Sequence, residues 1–168
     1  MGKSTFVHTL AGIWPYASGE INLPEKQRVM YLPQRPYMPI GTLAEAILFP
    51  DKKQPELEKH LEQVLQDCRL ENFIPRLQEV ASWSEQFSPG EQQRIAFARV
   101  LLHKPDWVFL DESTSMLDLA NEKHLYHLLK EKLPHCSIVS VGHRPSLDAL
   151  HEHIINVEKY RGLSLQGG

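Results

Sequence analysis

Two cysteines in 168 residues, Cys68 and Cys136, are too few and too far apart for a disulfide framework, and neither has the spacing of a Cys/His metal site. A reducing compartment is the expected setting. Long apolar runs are missing as well: nothing approaches the roughly 18 residues of a membrane-spanning helix, and the residues after Thr5 lack the apolar segment of a secretory signal. Neither sign of charge dominates, since 18 Lys and Arg oppose 21 Asp and Glu for a net charge of -3, and no stretch carries five like charges. Charge therefore offers no nucleic-acid groove, and no nucleic-acid partner is expected. Collagen repeats and coiled-coil heptads are absent too. What remains, 42% hydrophobic and 23% charged residues in a chain of this length, is the composition of one globular domain with a real core.

The pattern along the chain predicts a short helix over 3–11, stopped by Gly12 and Trp14-Pro15, then a strand from Val29 to Leu32. Three prolines between Pro33 and Gly41 make that stretch an extended loop. Leu57, Leu61, Val64, Leu65 and Cys68 recur at helical spacing, so one amphipathic helix is expected from Glu56 to Leu70. A second runs over 90–102, with Ile95, Ala98, Val100 and Leu101 on its apolar face. Trp107 to Leu110 and Ser137 to Val141 read as buried strands, and Leu125, Leu128, Leu129 and Leu133 place a helix over 119–133 between them. Strand, helix, strand implies a parallel α/β sheet. Trp14, Trp83 and Trp107 are expected in packing. His124 with His127, and His151 with His153, lack a third ligand and are expected at the surface.

Three clusters carry chemistry. Gly2-Lys3-Ser4-Thr5 is the second half of the phosphate-binding pattern G-x-x-x-x-G-K-[ST], in which loop amides and the lysine hold phosphates and the hydroxyl holds Mg²⁺. Asp111 and Glu112 close a hydrophobic strand, where a parallel sheet presents side chains to ligands. An aspartate there can join a Mg²⁺ shell and a glutamate can polarise water, although a solvated acidic turn has the same composition. Ser88-Pro89-Gly90-Glu91 reads as an N-cap, a first-turn proline and a capping-box glutamate. The same helix start is also an anion site.

Taken in order, these marks resemble the nucleotide-binding domain of ATP-binding cassette (ABC) transporters. Gly2-Lys3-Ser4-Thr5 matches the end of the Walker A loop, Gln34 in Leu-Pro-Gln-Arg-Pro-Tyr the Q-loop, and Ser88-Pro89-Gly90-Glu91-Gln92 the signature. Val108 to Glu112 matches Walker B, Ser115 to Asp118 the D-loop, and His143 in Val-Gly-His-Arg the switch histidine. The Pro-Gln-Arg-Pro-Tyr-Met-Pro-Ile-Gly-Thr-Leu run, Trp83 before the signature, Pro-Asp-Trp107 and Ser-Val-Gly-His-Arg are similar to the peroxisomal fatty acyl-CoA half-transporters and their bacterial relatives. Pro89 and Glu91 depart from the glycine and glutamine usual at those signature positions; Ser88 and Gly90 are kept.

The resemblance implies a P-loop NTPase with a parallel sheet core and a helical, signature-bearing insert. The chain would be one partial ATPase domain, 1–168. Within it, 2–33 would hold the Walker A end and core, 34–105 the Q-loop and insert, and 106–168 Walker B, the D-loop and the switch histidine. Catalytic roles fall on Glu112, His143 and Gln34. Nucleotide contacts fall on Gly2, Lys3, Ser4, Thr5, Ser88, Gly90, Glu91 and Asp118, and Mg²⁺ contacts on Ser4, Gln34 and Asp111. ATP and Mg²⁺ are the implied ligands. The implied partners are a second copy, packed head to tail so that Ser88 and Gly90 complete the other copy's site, and a transmembrane domain on the same full-length chain. The Arg35 to Thr42 loop would lie near a coupling helix of that domain. The first Walker A glycine, the adenine-stacking aromatic and the leading strands are not in this sequence. It is therefore expected to be the C-terminal part of a longer half-transporter at the cytoplasmic face of a membrane, a bacterial inner membrane by its relatives. A truncated, catalytically impaired ATPase and a soluble non-transport cassette ATPase are the alternatives.

Overall fold

The computed structural model describes residues 3–13, 15, 27–51 and 54–160. Gly2 and Trp14, both singled out above, lie outside the described residues.

Among the described residues, three parallel strands form the core sheet in the order β1 (Val29–Leu32), β4 (Trp107–Asp111), β5 (Ser137–Val141). The register pairs Leu32 with Leu110 and Asp111 with Val141, so the strands end together at one edge. β4 is central, and Val108, Phe109 and Leu110 are all buried, as an apolar run covered on both faces requires. Its alternation divides the core. Val108 and Leu110 face the larger cluster, while Phe109 packs with Val7 and Val141 on the other side. That second layer is α1 (Lys3–Leu10), which lies against β4 and β5. Helix α1 ends in a Schellman turn: Gly12 is left-handed at φ 73°, Ile13 N–H donates to His8 O at 2.8 Å, and Gly12 N–H donates to Thr9 O at 3.0 Å.

The larger layer holds α6 (Pro89–His103), packed against α2 (Leu43–Leu48), α4 (Leu61–Asp67) and α7 (Leu119–Lys132), the crossover from β4 to β5. Helix α6 starts as expected, with a complete capping box between Ser88 and Glu91 and Pro89 in the first turn. It ends at Lys104, left-handed at φ 46°, just before Pro105.

The single helix expected from Glu56 to Leu70 is broken. Pro55–Glu58 forms α3, and the chain tightens at Lys59 and His60 before α4 begins at Leu61. No side chain of α3 is buried, whereas α4 buries Leu61, Val64 and Leu65, so packing supports a continuous helix only over the second segment. Arg69 closes α4 at φ 58° with Leu70 N–H donating to Leu65 O at 2.7 Å, the geometry usually given to glycine. The proline-rich loop also ends sooner than expected. Gly41–Thr42 is strand β2, antiparallel to β3 (Val80–Ala81), and α2 follows at once. Thr42 and Glu45 form a second capping box, a local signal that apolar periodicity over six residues is too short to show. Helix α5 (Trp83–Gln86) carries fully buried Trp83, whose Nε1 donates to Gly41 O at 2.9 Å, so the expectation that this tryptophan packs is met.

Candidate functional site

The common strand edge gathers the chemistry, because residues just past β1, β4 and β5 emerge side by side there. Ser4, in the first turn of α1, donates its hydroxyl to Asp111 Oδ1 at 2.9 Å. Asp111 Oδ2 accepts from the Tyr31 hydroxyl at 2.8 Å, and His8 Nε2 lies 3.5 Å from the same oxygen while its ring closely contacts the Tyr31 hydroxyl. Burial first, then the hydrogen bond to Asp111, pushes the Tyr31 phenol well above its ordinary value, so it remains a donor. Lys3 precedes Ser4 and is half-buried; Thr5 is exposed, its carbonyl accepting from Thr9 Oγ1 at 2.9 Å.

Glu112 leaves β4 in the left-handed region at φ 50°, an unfavourable conformation for a side chain of this size. Its N–H donates to Val141 O at 2.9 Å, which ties the turn to β5. Oε1 of Glu112 lies 3.2 Å from Nε2 of His143, two residues beyond β5. The structure thus brings Ser4 to Asp111 and Glu112 to His143. Gln34, two residues past β1, donates from Nε2 to Ser115 Oγ at 3.3 Å.

Ser88, Gly90, Glu91 and Asp118 sit at two helix starts. Ser88 N–H and hydroxyl both donate to Glu91 Oε2 at 2.8 Å, so the capping carboxylate holds the serine. Gly90 lies against the turn after β4: a Cβ there would meet Met116 O at 3.2 Å. Asp118 N-caps α7, accepting from Asn121 N–H at 2.7 Å and Asn121 Nδ2 at 3.0 Å; these bonds, the backbone one foremost, pull its carboxyl below the ordinary range. Among the described residues, the hydrogen bonds of Ser88 and Glu91 run to each other and to nearby backbone, not to the Asp111 or Glu112 pairs.

Several residues escaped the sequence reading. Gln93 of α6 is fully buried, and its amide donates to Gln34 O at 3.0 Å and lies 3.5 Å from Glu112 O, while its oxygen accepts from Met116 N–H at 3.0 Å. A polar residue at the spacing of buried Ala96, Phe97 and Val100 was the available signal. Tyr31, His8, Arg144 and Glu122 carried no local one.

As a test of fit for Mg²⁺, the donors at the edge are the Asp111 carboxylate and the Ser4 hydroxyl, hard oxygens already in contact. Mg²⁺ is ordinarily held by one or two protein oxygens together with phosphates and water, so this set suits it.

A parallel α/β sheet whose strand ends meet the start of α1 at a Ser–Asp contact fits the class of P-loop nucleotide-binding domains. Within that class, the family model described as ABC transporter matches residues 1–115, and the chain belongs to the ABC transporter family. It is 45% identical over 94% of its length to an uncharacterized ABC transporter ATP-binding protein of Haemophilus influenzae, covering 26% of that protein. To ABC transporter D family member 3 of Dictyostelium discoideum it is 38% identical over 98% of its length, covering 23% of that protein. The similarity to D-family members agrees with the branch read from the Q-loop and switch segments. The chain spans about a quarter of the length of these relatives. A solved ABC transporter in an inward-facing conformation shares the fold, with a TM-score of 0.66 at 23% identity, over 89% of this chain and 61% of that one.

Proposed function

We propose that this chain binds and hydrolyses ATP and that the hydrolysis powers a membrane transporter, in which the chain is the C-terminal part of a half-transporter. The observation that carries the reading is the pairing of Ser4 with Asp111 at 2.9 Å beside the pairing of Glu112 with His143 at 3.2 Å, both at the ends of parallel strands. Gly2, Lys3, Ser4 and Thr5 hold the phosphates, and Ser4, Asp111 and Gln34 hold Mg²⁺. When bound, that ion neutralises charge developing on the β- and γ-phosphate oxygens. Glu112 accepts the proton of the attacking water as its oxygen bonds to the γ-phosphorus and the bond to ADP breaks. His143 contacts the γ-phosphate and orients Glu112.

Ser88, Gly90, Glu91 and Asp118 serve the site of a second copy packed head to tail; their bonding only to local groups leaves the α6 N-terminus available to a nucleotide outside their own strand edge. The chain acts as one domain whose 34–105 segment is the signature-bearing insert, attached to a transmembrane domain at the cytoplasmic face of a bacterial inner membrane. No described helix is long and apolar enough to cross a membrane.

In the full-length protein, Glu112→Gln retains ATP binding and loses most turnover, since an amide keeps the hydrogen bonds but cannot act as a base. Lys3→Ala loses binding. Hydrolysis by the Glu112→Gln protein at the parent rate would overturn the assignment.

A further inference from the structure

Glu122, in the first turn of α7, is fully buried. A carboxylate persists in the interior only where protein groups replace its water. The Thr114 hydroxyl donates to Oε1 at 2.7 Å, the Ser146 hydroxyl donates to Oε2 at 2.6 Å, and Arg144 Nη1 lies 3.6 Å from Oε1. These groups come from two separate segments. Thr114 follows Glu112 by two residues in the turn after β4, and Arg144 follows His143 directly in the segment after β5. Arg144 then reaches back, its Nη1 donating to Leu117 O at 2.7 Å and its Nη2 to Ser115 O at 2.6 Å.

We propose that Glu122 is a positioning residue which, through Arg144, yokes the turn holding Glu112 and Asp118 to the segment holding His143. The Glu112–His143 pair cannot supply this order itself. The His143 side chain is 71% exposed, and an exposed pair is too weak to hold two segments in register. The bonds behind it are charge-assisted and at least part-buried, that from Thr114 fully so, and the planar guanidinium fork fixes two carbonyls of one turn at once. A push on the Ser115–Asp118 turn, from a second copy or a nucleotide, is therefore transmitted to Arg144 and to its neighbour His143. The consequence for turnover rests on the ATPase reading above; the yoke itself is a property of the fold.

The test measures backbone hydrogen exchange and ATPase kinetics on the full-length protein and its Glu122→Gln, Arg144→Gln and doubly substituted forms. Each single change is expected to speed exchange about tenfold across both 115–118 and 143–146 while β4 and α6 stay protected. The double form should exchange no faster than the faster single one, because both changes break the same link. Turnover should fall about tenfold with ATP affinity within about twofold of the parent, the split that separates positioning from loss of the fold. Multiplying effects in the double form, exchange changes confined to α7, or parallel loss of affinity and turnover in variants that remain folded would each overturn the proposal. Should Glu122→Gln not fold, Arg144→Gln decides alone, since its side chain is 36% exposed; unchanged exchange at either segment then refutes the yoke. A parent protein that neither binds nor hydrolyses ATP would refute the ATPase reading, and the exchange measurement would still decide the yoke.

Discussion

The hydroxyl of Tyr31 and the carboxylate of Asp111 meet at 2.8 Å, across neighbouring strands, while Ser4 donates to the other oxygen of the same carboxylate. Asp111 is thus aimed from two directions. Tyr31→Phe removes one neutral donor to a part-buried charged acceptor and is expected to cost about 1–2 kcal/mol, read as a lower urea midpoint. An unchanged midpoint would mean that Tyr31 merely fills space beside Asp111.

Gln93→Ala leaves Met116 N–H and Gln34 O without their partner and opens a small void at a fully buried position. Thermal unfolding should show a loss of about 2–3 kcal/mol. Gln93→Glu should cost at least as much, because a carboxylate cannot donate to Gln34 O. Parent-like stability of both variants would remove the amide as a link between α6 and the strand edge.

Alkaline pH should destabilise the fold. Burial is the leading cause raising Cys68 above its ordinary 9.0 and Tyr31 and Tyr126 above 10.0. The native state keeps these protons to higher pH than the unfolded chain, so their contribution is complete below about pH 9 and declines as pH rises beyond it. Arg99, pushed down to about 10 by burial, acts in the opposite sense only above that value, which leaves the interval from 9.0 to 10 to the Cys68 and Cys136 thiols, both raised chiefly by burial, and the onset of the phenols. Urea unfolding at pH 7, 9 and 10 should show falling stability, with a shallower fall for Cys68→Ala. A flat profile would contradict the burial argument.

Complementation between copies tests the α6 N-terminus. A full-length Ser88→Arg protein should be inactive alone, as should Lys3→Ala, yet mixed dimers should regain some ATPase activity, because one site then joins intact Lys3 to an intact Ser88. No recovery in verified mixed dimers would indicate a signature acting within its own chain or obligatory coupling of both sites. Trapping one occluded ATP per mixed dimer distinguishes the two.

Local patterns were readable before any tertiary structure. The Ser88–Glu91 capping box, the buried strand at Trp107, the crossover to β5 and the order of motifs from Lys3 to His143 all rest on contacts or periodicities within a few residues, where the chain's own stereochemistry dominates. The Thr42–Glu45 box is equally local, but the helix it starts is too short to carry an apolar period. Glu56 to Leu70 misled for the opposite reason. Its apolar period is helical throughout, but only α4 buries side chains fully, α3 setting no more than half-buried Leu57 against the core, and burial decides whether a marginal helix persists.

Tertiary closure alone determined the partners of Asp111, Gln93 and Glu122. Tyr31 and Asp111 meet because β1 and β4 pair in parallel register, and Gln93 reaches Gln34 because α6 lies over the strand edge. Glu122 in sequence is one more charged residue on an amphipathic helix. It becomes a buried hub only when the turns after β4 and β5 close over it, bringing Thr114, Arg144 and Ser146 to one carboxylate. Such groups are selected by desolvation and long-range geometry, and neither leaves a period or a local motif in the chain.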